Sequence, residues 1–275
     1  MNGRVLVNGA ASEQISALDR GLAYGDGLFE SVRLVGAVAP LWPRHMLRLS
    51  EGCRRLRMPA PDVELLWREV VQVIHEMPQS VVRITVTRGI GRRGYAPPAV
   101  VQPTRVVAAF APPPASGDAY VRGVRMRLCR LRLAEQPMLA GIKHLNRLEQ
   151  VLARAEWEDP AIAEGVLCDG HNRVISATMA NLFAVVDGQL LTPALDRCGV
   201  AGVARAEVLS VFPQARVGEL TLDALLGATE VFLSSSVRGI LPVQSLAERV
   251  YGPGALSRQL QQHWRNLGFS MEQDG

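Results

Sequence analysis

A proline-rich break near the middle of the chain limits how the sequence can fold. The stretch APPPASGD, residues 111–118, has three consecutive prolines followed by serine and glycine. Such a segment forms an extended, semi-rigid connection and does not lie inside a helix or a central strand. We therefore predict an N-terminal domain at 1–111, a linker at 112–118 and a larger C-terminal domain at 119–275. A chain of 275 residues is long enough for both domains to form a hydrophobic core.

The segments on either side of the break mix helical and strand patterns. In the first domain the patterns predict strands at 28–35, 80–88 and 104–111, and a helix at 61–77 that starts after the capping residue Asp62. In the second they predict strands at 164–168, 173–178, 181–186 and 229–235, and helices at 141–157, 203–212 and 255–267. This order of elements indicates an α+β fold of two domains with mixed sheets.

The composition is typical of a globular protein and argues against several classes. Hydrophobic residues make up 48% of the chain, charged residues 20%, and the net charge is +4. No segment has the roughly 20 consecutive apolar residues of a membrane span, and the first residues lack the apolar core of a signal peptide. We therefore expect a cytoplasmic protein without a membrane partner. Its four cysteines are widely separated (Cys53, Cys129, Cys168 and Cys198), which predicts reduced thiols and no metal site.

Two arginine-bearing motifs have simpler explanations than nucleotide or nucleic-acid binding. GIGRRG, residues 89–94, matches the GxGxxG pattern, but the prolines that follow prevent the helix that a dinucleotide site needs. We interpret it as a loop, or lid, that presents Arg88, Arg92, Arg93 and Tyr95. YVRGVRMRLCRLRL, residues 120–133, alternates arginine with apolar residues, which favours a half-buried strand over a polyanion-binding surface. No aromatic residues interleave with these arginines, so no nucleic-acid partner is expected.

Lys143 is the only lysine in the chain, since 29 of the 30 basic residues are arginine. Arginine serves in surface and ion-pair roles, but it cannot lose its proton and act as an amine nucleophile. The retained lysine therefore indicates Schiff-base or general-base chemistry, the alternative being a surface lysine kept by chance. Apolar residues at helical spacing from Ile142 to Ala155 place Lys143 near a helix N-terminus, where the macrodipole would lower the pKa of the amine.

Four segments together resemble the fold-type IV family of pyridoxal-phosphate enzymes, which includes branched-chain and D-amino-acid aminotransferases. They are YGDGLFESVR (24–33), RGIGRRGY (88–95), LAGIKHLNRLEQV (139–151) and EGVLCDGHNRVISATMANLF (164–183). The IKHLNRLEQ string is typical of the aminodeoxychorismate lyases within this family.

The resemblance implies a two-domain α+β fold with pyridoxal 5'-phosphate between the domains, and a homodimer. It implies that the small-molecule substrate is 4-amino-4-deoxychorismate, from which pyruvate is eliminated to give 4-aminobenzoate for folate biosynthesis. The alternative on the same fold is an aminotransferase acting on D- or branched-chain amino acids.

Matched position by position, the resemblance also implies the site residues. Lys143 forms the Schiff base and then acts as the general base. The cofactor phosphate is held by Arg48, by the backbone N–H groups of Val203 and Ala204 in GVAGVAR, and by Ser236 and the N–H of Val237 in LSSSVRG. Phe29 lines the pocket, and Arg93 and Tyr95 of the lid face the substrate carboxylates.

One position departs from the family pattern. Where the family has a glutamate that pairs with the pyridine nitrogen of the cofactor, this chain has Ser176. Ser176 and Thr178 point the same way on a strand, so either hydroxyl is placed to bond to that nitrogen. Because a hydroxyl does not hold the nitrogen protonated as a carboxylate does, this departure implies a weaker electron sink.

Overall fold

A computed structural model describes residues 4–113 and 117–269 of the chain. They form two compact units. One comprises the described residues of Met1–Pro112 together with Ile142–Asn146, and the other those of Pro113–Gly141 and Arg147–Gly275. The domain boundary at 112–118 stays a prediction, and residues 114–116 of that linker lie outside the described residues. No helix in the described ranges is long and apolar enough to cross a membrane.

The first unit is built on a five-stranded sheet in which every pairing is antiparallel. Its elements are β1 (Val5–Val7), β2 (Ala10–Ala11), α1 (Arg20–Tyr24), β3 (Gly27–Val35), α2 (Trp42–Arg55), α3 (Val63–Val73), β4 (Gln79–Thr87) and β5 (Thr104–Phe110). The strand order is β2-β1-β5-β4-β3. The three predicted strands are confirmed. The helix start at Asp62 is confirmed too, since its side chain accepts hydrogen bonds from the N–H groups of Glu64 and Leu65.

The second unit is built on a nine-stranded mixed sheet. Its elements are α4 (Gly117–Val121), β6 (Val124–Leu133), α5 (Leu148–Arg154), β7 (Ile162–Asp169), β8 (Val174–Ala177), β9 (Asn181–Val186), β10 (Gln189–Pro193), α6 (Val203–Val211), β11 (Arg216–Gly218), α7 (Leu222–Gly227), β12 (Glu230–Ser235), β13 (Gly239–Leu246), β14 (Arg249–Val250) and α8 (Ala255–Asn266). The order is β11-β10-β9-β12-β13-β6-β7-β8, with β14 on β13. Strand β6 runs parallel to both neighbours, and the core includes the stacked rings of Phe183 and Phe232, 5.1 Å apart. The α+β prediction is confirmed, with the mixed pairing confined to this unit.

The helix predicted at 141–157 is wrong over its first half. The α-helix covers only Leu148–Arg154, because the preceding residues pair with strand β3 instead. The N–H of Phe29 donates to the Lys143 carbonyl and the N–H of Leu145 donates to the Gly27 carbonyl, both at 3.0 Å. The expected buried stripe is also absent from this helix, since Leu148 and Leu152 are 75% and 61% exposed. Lys143 therefore does not lie at a helix N-terminus, and a helix dipole does not explain its retention.

The prediction that the arginine-rich segment is a half-buried strand is confirmed. Strand β6 is half-buried, and the Glu156 carboxylate accepts hydrogen bonds from the backbone N–H groups of Arg130 and Leu131 at 2.8 Å and contacts Arg127 at 3.4 Å. All four cysteines are free and buried, and burial raises the pKa of Cys53 to about 11. Among the described residues no group of histidine, cysteine and acidic side chains is arranged to hold a metal ion.

Candidate active site

Lys143 lies beside strand β3 with its amine over an aromatic ring. Its Nζ is 4.3 Å from the ring centroid of Phe29, and the Phe29 N–H donates to the Lys143 carbonyl. The backbone pairing between β3 and the segment that carries Lys143 requires a glycine at position 27. A Cβ at Gly27 would lie 2.6 Å from the Val86 carbonyl oxygen and 2.9 Å from a methyl group of Leu145. The structure thus brings two predicted site residues, Lys143 and Phe29, together.

Glu30, the next residue of β3, is a buried carboxylate that holds two basic residues of α2. Nε of Arg48 donates to Oε1 of Glu30 at 2.8 Å, a second guanidinium nitrogen reaches Oε2, and Nδ1 of His45 lies 2.7 Å from the same Oε2. Burial alone would raise the pKa of Glu30, but Arg48 and His45 lower it to about 2. Burial lowers the pKa of His45, which favours the neutral ring. Arg48, the predicted phosphate arginine, is therefore oriented by a buried anion.

Replacing Glu30 with glutamine is expected to lower the free energy of unfolding by about 3–5 kcal/mol at pH 7, because one partner of a buried ion pair is removed. A carboxylate with a depressed pKa stabilises the folded state above its ordinary pKa of 4.5, and this contribution is lost as the pH falls toward about 2. The difference between wild type and Glu30→Gln should therefore shrink below pH 4.5. Urea unfolding across this pH range measures it.

Glu51→Gln is the matched control for that experiment. It removes a carboxylate of helix α2 whose ion pair with Arg54 is exposed to solvent, so unfolding should change little. Equal destabilisation by the two variants would contradict the assignment of stability to the buried pair.

The predicted lid is anchored by an arginine that the sequence did not single out. Arg20 donates to the carbonyls of Gly94 and Tyr95, both at 3.0 Å, and the Gly94 N–H donates to the Tyr24 hydroxyl. Tyr95 is exposed, as is Arg93. Arg88 is not presented by the loop, contrary to the prediction. It is buried, and its Nε donates to Asp26 at 2.7 Å.

In the second unit, the start of helix α6 offers backbone N–H groups to an anion. Val203 and Ala204 occupy its first turn and are buried, and no side chain caps the helix. Buried helix N-termini normally have their N–H groups satisfied by a side chain, water or a ligand. A Cβ at Gly202 would lie 2.0 Å from Oδ1 of Asn181, so only glycine fits this turn. These features fit the phosphate group that the sequence predicts there.

The second predicted phosphate loop is fixed by its own neighbours. The Ser235 hydroxyl accepts from the N–H groups of Val237 and Arg238 at 3.3 and 3.4 Å. The Tyr120 hydroxyl donates to the Arg238 carbonyl at 2.9 Å. These bonds hold the loop that carries Ser236 and Val237, and both residues are partly accessible to solvent. The Val237 N–H, predicted to hold the phosphate, donates to Ser235 in this structure.

The two hydroxyls proposed for the pyridine nitrogen differ in their surroundings. Ser176 lies in β8 opposite Leu167 and is buried, and its hydroxyl bonds to no other described residue. Thr178 follows the strand, and both its N–H and its hydroxyl donate to the buried carboxylate of Glu164 in β7. Sequence reasoning missed both Glu30 and Glu164. The available signal was a carboxylate within a strand made mostly of apolar residues, which indicates a buried, paired anion.

Comparison with known proteins identifies the class of enzyme. The model of the amino-transferase class IV family matches residues 27–246, and the chain belongs to this family. It is 35% identical to the aminodeoxychorismate lyase of Vibrio harveyi, over 93% of this chain and 97% of that protein.

Solved structures agree with this assignment. The crystal structure of 4-amino-4-deoxychorismate lyase from Pseudomonas aeruginosa superposes with a TM-score of 0.90 at 45% identity, over 95% of this chain and 98% of the other. The branched-chain amino acid aminotransferase of Escherichia coli superposes with a TM-score of 0.85 at 23% identity, over 98% and 96% of the two chains. The latter likeness concerns the fold alone.

Proposed function

We propose that this protein is a pyridoxal-phosphate-dependent aminodeoxychorismate lyase, which releases pyruvate from 4-amino-4-deoxychorismate and leaves 4-aminobenzoate. The observation that carries the proposal is the single lysine of the chain, held against Phe29 within a segment typical of these lyases. The similarity to two lyases over nearly the whole chain supports the same activity.

The residues present fit the cofactor. Lys143 supplies the amine that would bind its aldehyde carbon, and the uncapped start of α6 and the hydroxyl of Ser236 supply donors for its phosphate. The Val237 N–H would join them by exchanging its bond to the Ser235 hydroxyl for one to the phosphate. Arg48, oriented by Glu30, adds a positive charge. When bound, pyridoxal phosphate withdraws electrons from the carbon that loses a proton.

Lys143 is the proposed general base and proton carrier. Its Nζ takes the proton from the ring carbon that bears the substrate nitrogen. The electron pair of that C–H bond forms a ring double bond as the neighbouring carbon–oxygen bond breaks, so the enolpyruvyl group departs with the oxygen. Protonation of its methylene carbon by Nζ gives pyruvate and returns the amine. The cation–π contact with Phe29 favours the charged amine midway through this cycle.

The lid supplies the proposed contacts to the substrate. The substrate has two carboxylates, and the exposed side chains of Arg93 and Tyr95 offer a positive charge and a hydroxyl to them. Arg20 fixes the backbone of this loop through the Gly94 and Tyr95 carbonyls.

The aminotransferase alternative has weaker support. Proteins of that activity match this chain at lower identity than the 35% of the Vibrio harveyi lyase: 28% for the putative branched-chain-amino-acid aminotransferase of Methanocaldococcus jannaschii and 24% for the D-alanine aminotransferase of Bacillus licheniformis. Incubating the cofactor-loaded protein with 4-amino-4-deoxychorismate, without any 2-oxo acid, tests the proposal. We expect 4-aminobenzoate to form at a rate proportional to enzyme. Absence of product from a preparation that contains bound cofactor would refute it.

We further propose that the protein is a cytoplasmic homodimer, the location being supported by its four free thiols. Helix α5 exposes three apolar side chains, Leu148, Val151 and Leu152, which are 75%, 60% and 61% accessible. An apolar helix face of this kind is typical of a subunit interface.

Sedimentation velocity at micromolar concentration is expected to give a dimer for the wild type and a monomer for Leu152→Glu, because the variant places a charge on this face. The matched control is Leu47→Glu, which adds the same charge to another exposed leucine, on helix α2. A monomeric wild type with full activity would contradict the proposal.

A further inference from the structure

The second unit contains a buried carboxylate that none of the proposed roles uses. Glu164 in β7 is almost completely inaccessible to solvent. Its Oε2 accepts from the Thr178 N–H at 3.1 Å and from the Thr178 hydroxyl, and the Met179 N–H also bonds to the carboxylate. Arg238 of the phosphate loop places Nη1 at 3.8 Å from Oε1. A buried carboxylate is costly unless it is paired and hydrogen-bonded, and Glu164 is surrounded by donors.

The contact between Thr178 and Glu164 fixes the direction of the threonine hydroxyl. A hydroxyl has one proton and two acceptor lone pairs. With Glu164 ionised, the Thr178 hydroxyl donates to it, so the threonine oxygen is left to accept a hydrogen bond and not to donate one. Toward a pyridine ring, such an oxygen favours the protonated nitrogen, because an unprotonated nitrogen offers it no donor.

We propose that Glu164, acting through the hydroxyl of Thr178, replaces the carboxylate that is missing at Ser176 and keeps the cofactor's ring nitrogen protonated. Thr178 is then the residue that contacts the cofactor, and Glu164 is a positioning residue that orients it. The inference rests on the proposed function, because it requires bound pyridoxal phosphate. It reverses the sequence-based expectation of a weaker electron sink, and it distinguishes between the two hydroxyls.

The ion pair between Arg238 and Glu164 is the second observation that supports the proposal. Burial raises the pKa of Glu164 above its ordinary value, and the Thr178 hydroxyl and Arg238 offset this effect only in part. Arg238 is the cation that faces the carboxylate, and its loop is held by Tyr120 and Ser235. Arg238 thus favours the charged form of Glu164 from a loop that also carries the proposed phosphate contacts, Ser236 and Val237.

The test uses the intact enzyme loaded with pyridoxal phosphate labelled with 15N at the ring nitrogen, whose NMR chemical shift distinguishes the protonated from the unprotonated form. We expect the protonated form in the wild type and in Ser176→Ala, and the unprotonated form in Thr178→Val. Glu164→Gln, which keeps the shape of the carboxylate, should also give the unprotonated form. Thr178→Ser, which keeps the hydroxyl, should restore the wild-type shift.

The same variants should separate in kinetics, with kcat falling on the order of tenfold to hundredfold in Thr178→Val and Glu164→Gln while KM changes little. An unprotonated nitrogen in the wild type would overturn the inference. So would loss of the proton in Ser176→Ala alone, or its retention in both Thr178→Val and Glu164→Gln. Failure of the proposed function gives a different result. A protein that binds no pyridoxal phosphate would show no shift of bound cofactor in any variant, and one that binds it without lyase activity would form no 4-aminobenzoate whatever the shift.

Discussion

Replacing Lys143 with arginine is expected to abolish both cofactor attachment and activity. Arginine keeps the positive charge over the Phe29 ring, 4.3 Å from the lysine Nζ in the wild type, but it cannot deprotonate to act as a nucleophile or a base. Because the side chain performs both tasks, we expect kcat to fall by at least about 10⁴-fold. The visible absorbance of the lysine-bound cofactor should disappear as well.

Because the chain has a single lysine, the site of cofactor attachment can be identified without ambiguity. Borohydride reduction of the loaded wild type should attach the cofactor to a single peptide, because Lys143 is the only lysine. Peptide mass spectrometry then locates the label at Lys143 or at the N-terminal amine, and Lys143→Arg is the negative control. A label found only at the N-terminus, or full activity in Lys143→Arg, would contradict the role of this residue.

Replacing Gly202 with alanine is expected to weaken cofactor binding about a hundredfold. The new Cβ would lie 2.0 Å from Oδ1 of Asn181, which is itself held by a bond from its amide to the Val200 carbonyl. The turn must therefore shift, and the N–H groups of Val203 and Ala204 shift with it. Each hydrogen bond to a charged group contributes about 1.5–3 kcal/mol, so weakening one or two of them corresponds to this loss of affinity.

Titration of the cofactor-free protein, followed by absorbance, measures the effect. Gly227→Ala is the control, because a Cβ at Gly227 meets nothing within 4 Å. Pyridoxal, which lacks the phosphate, should bind equally to wild type and Gly202→Ala if the loss arises at the phosphate. A folded Gly202→Ala protein with unchanged affinity for pyridoxal phosphate would show that this turn does not hold the phosphate.

The elements that the sequence predicts well are those set by local pattern. Strand β4 and the start of α3 at Asp62 depend on alternation of apolar residues and on a capping side chain, both visible within a few residues. The helix predicted at 141–157 fails because the residues that decide it are distant in sequence. Phe29 and Gly27 form backbone hydrogen bonds with Lys143 and Leu145, respectively, and no local pattern indicates these bonds.

In the candidate site, too, the sequence indicates what depends on single positions and motifs but not the contacts between distant residues. The uniqueness of Lys143 and the motif match indicate which side chains to examine, but they do not reveal what those side chains contact. The pairing of Arg48 with Glu30 and that of Thr178 with Glu164 join different elements of the fold, so they become visible only in three dimensions. The sequence-based expectation for Ser176 considered one strand alone, whereas the neighbouring strand contributes the carboxylate that changes the interpretation.

The most direct test of the central claim measures both products and the competing activity in one preparation. The cofactor-loaded protein is given 4-amino-4-deoxychorismate alone, and in parallel D-alanine or L-leucine with 2-oxoglutarate. A lyase should release pyruvate and 4-aminobenzoate in equal amounts when no 2-oxo acid has been added as a co-substrate. Its kcat/KM for this reaction should be well above that for amino transfer from either amino acid. Amino transfer to 2-oxoglutarate at the higher kcat/KM, with no pyruvate formed from 4-amino-4-deoxychorismate, would contradict the account.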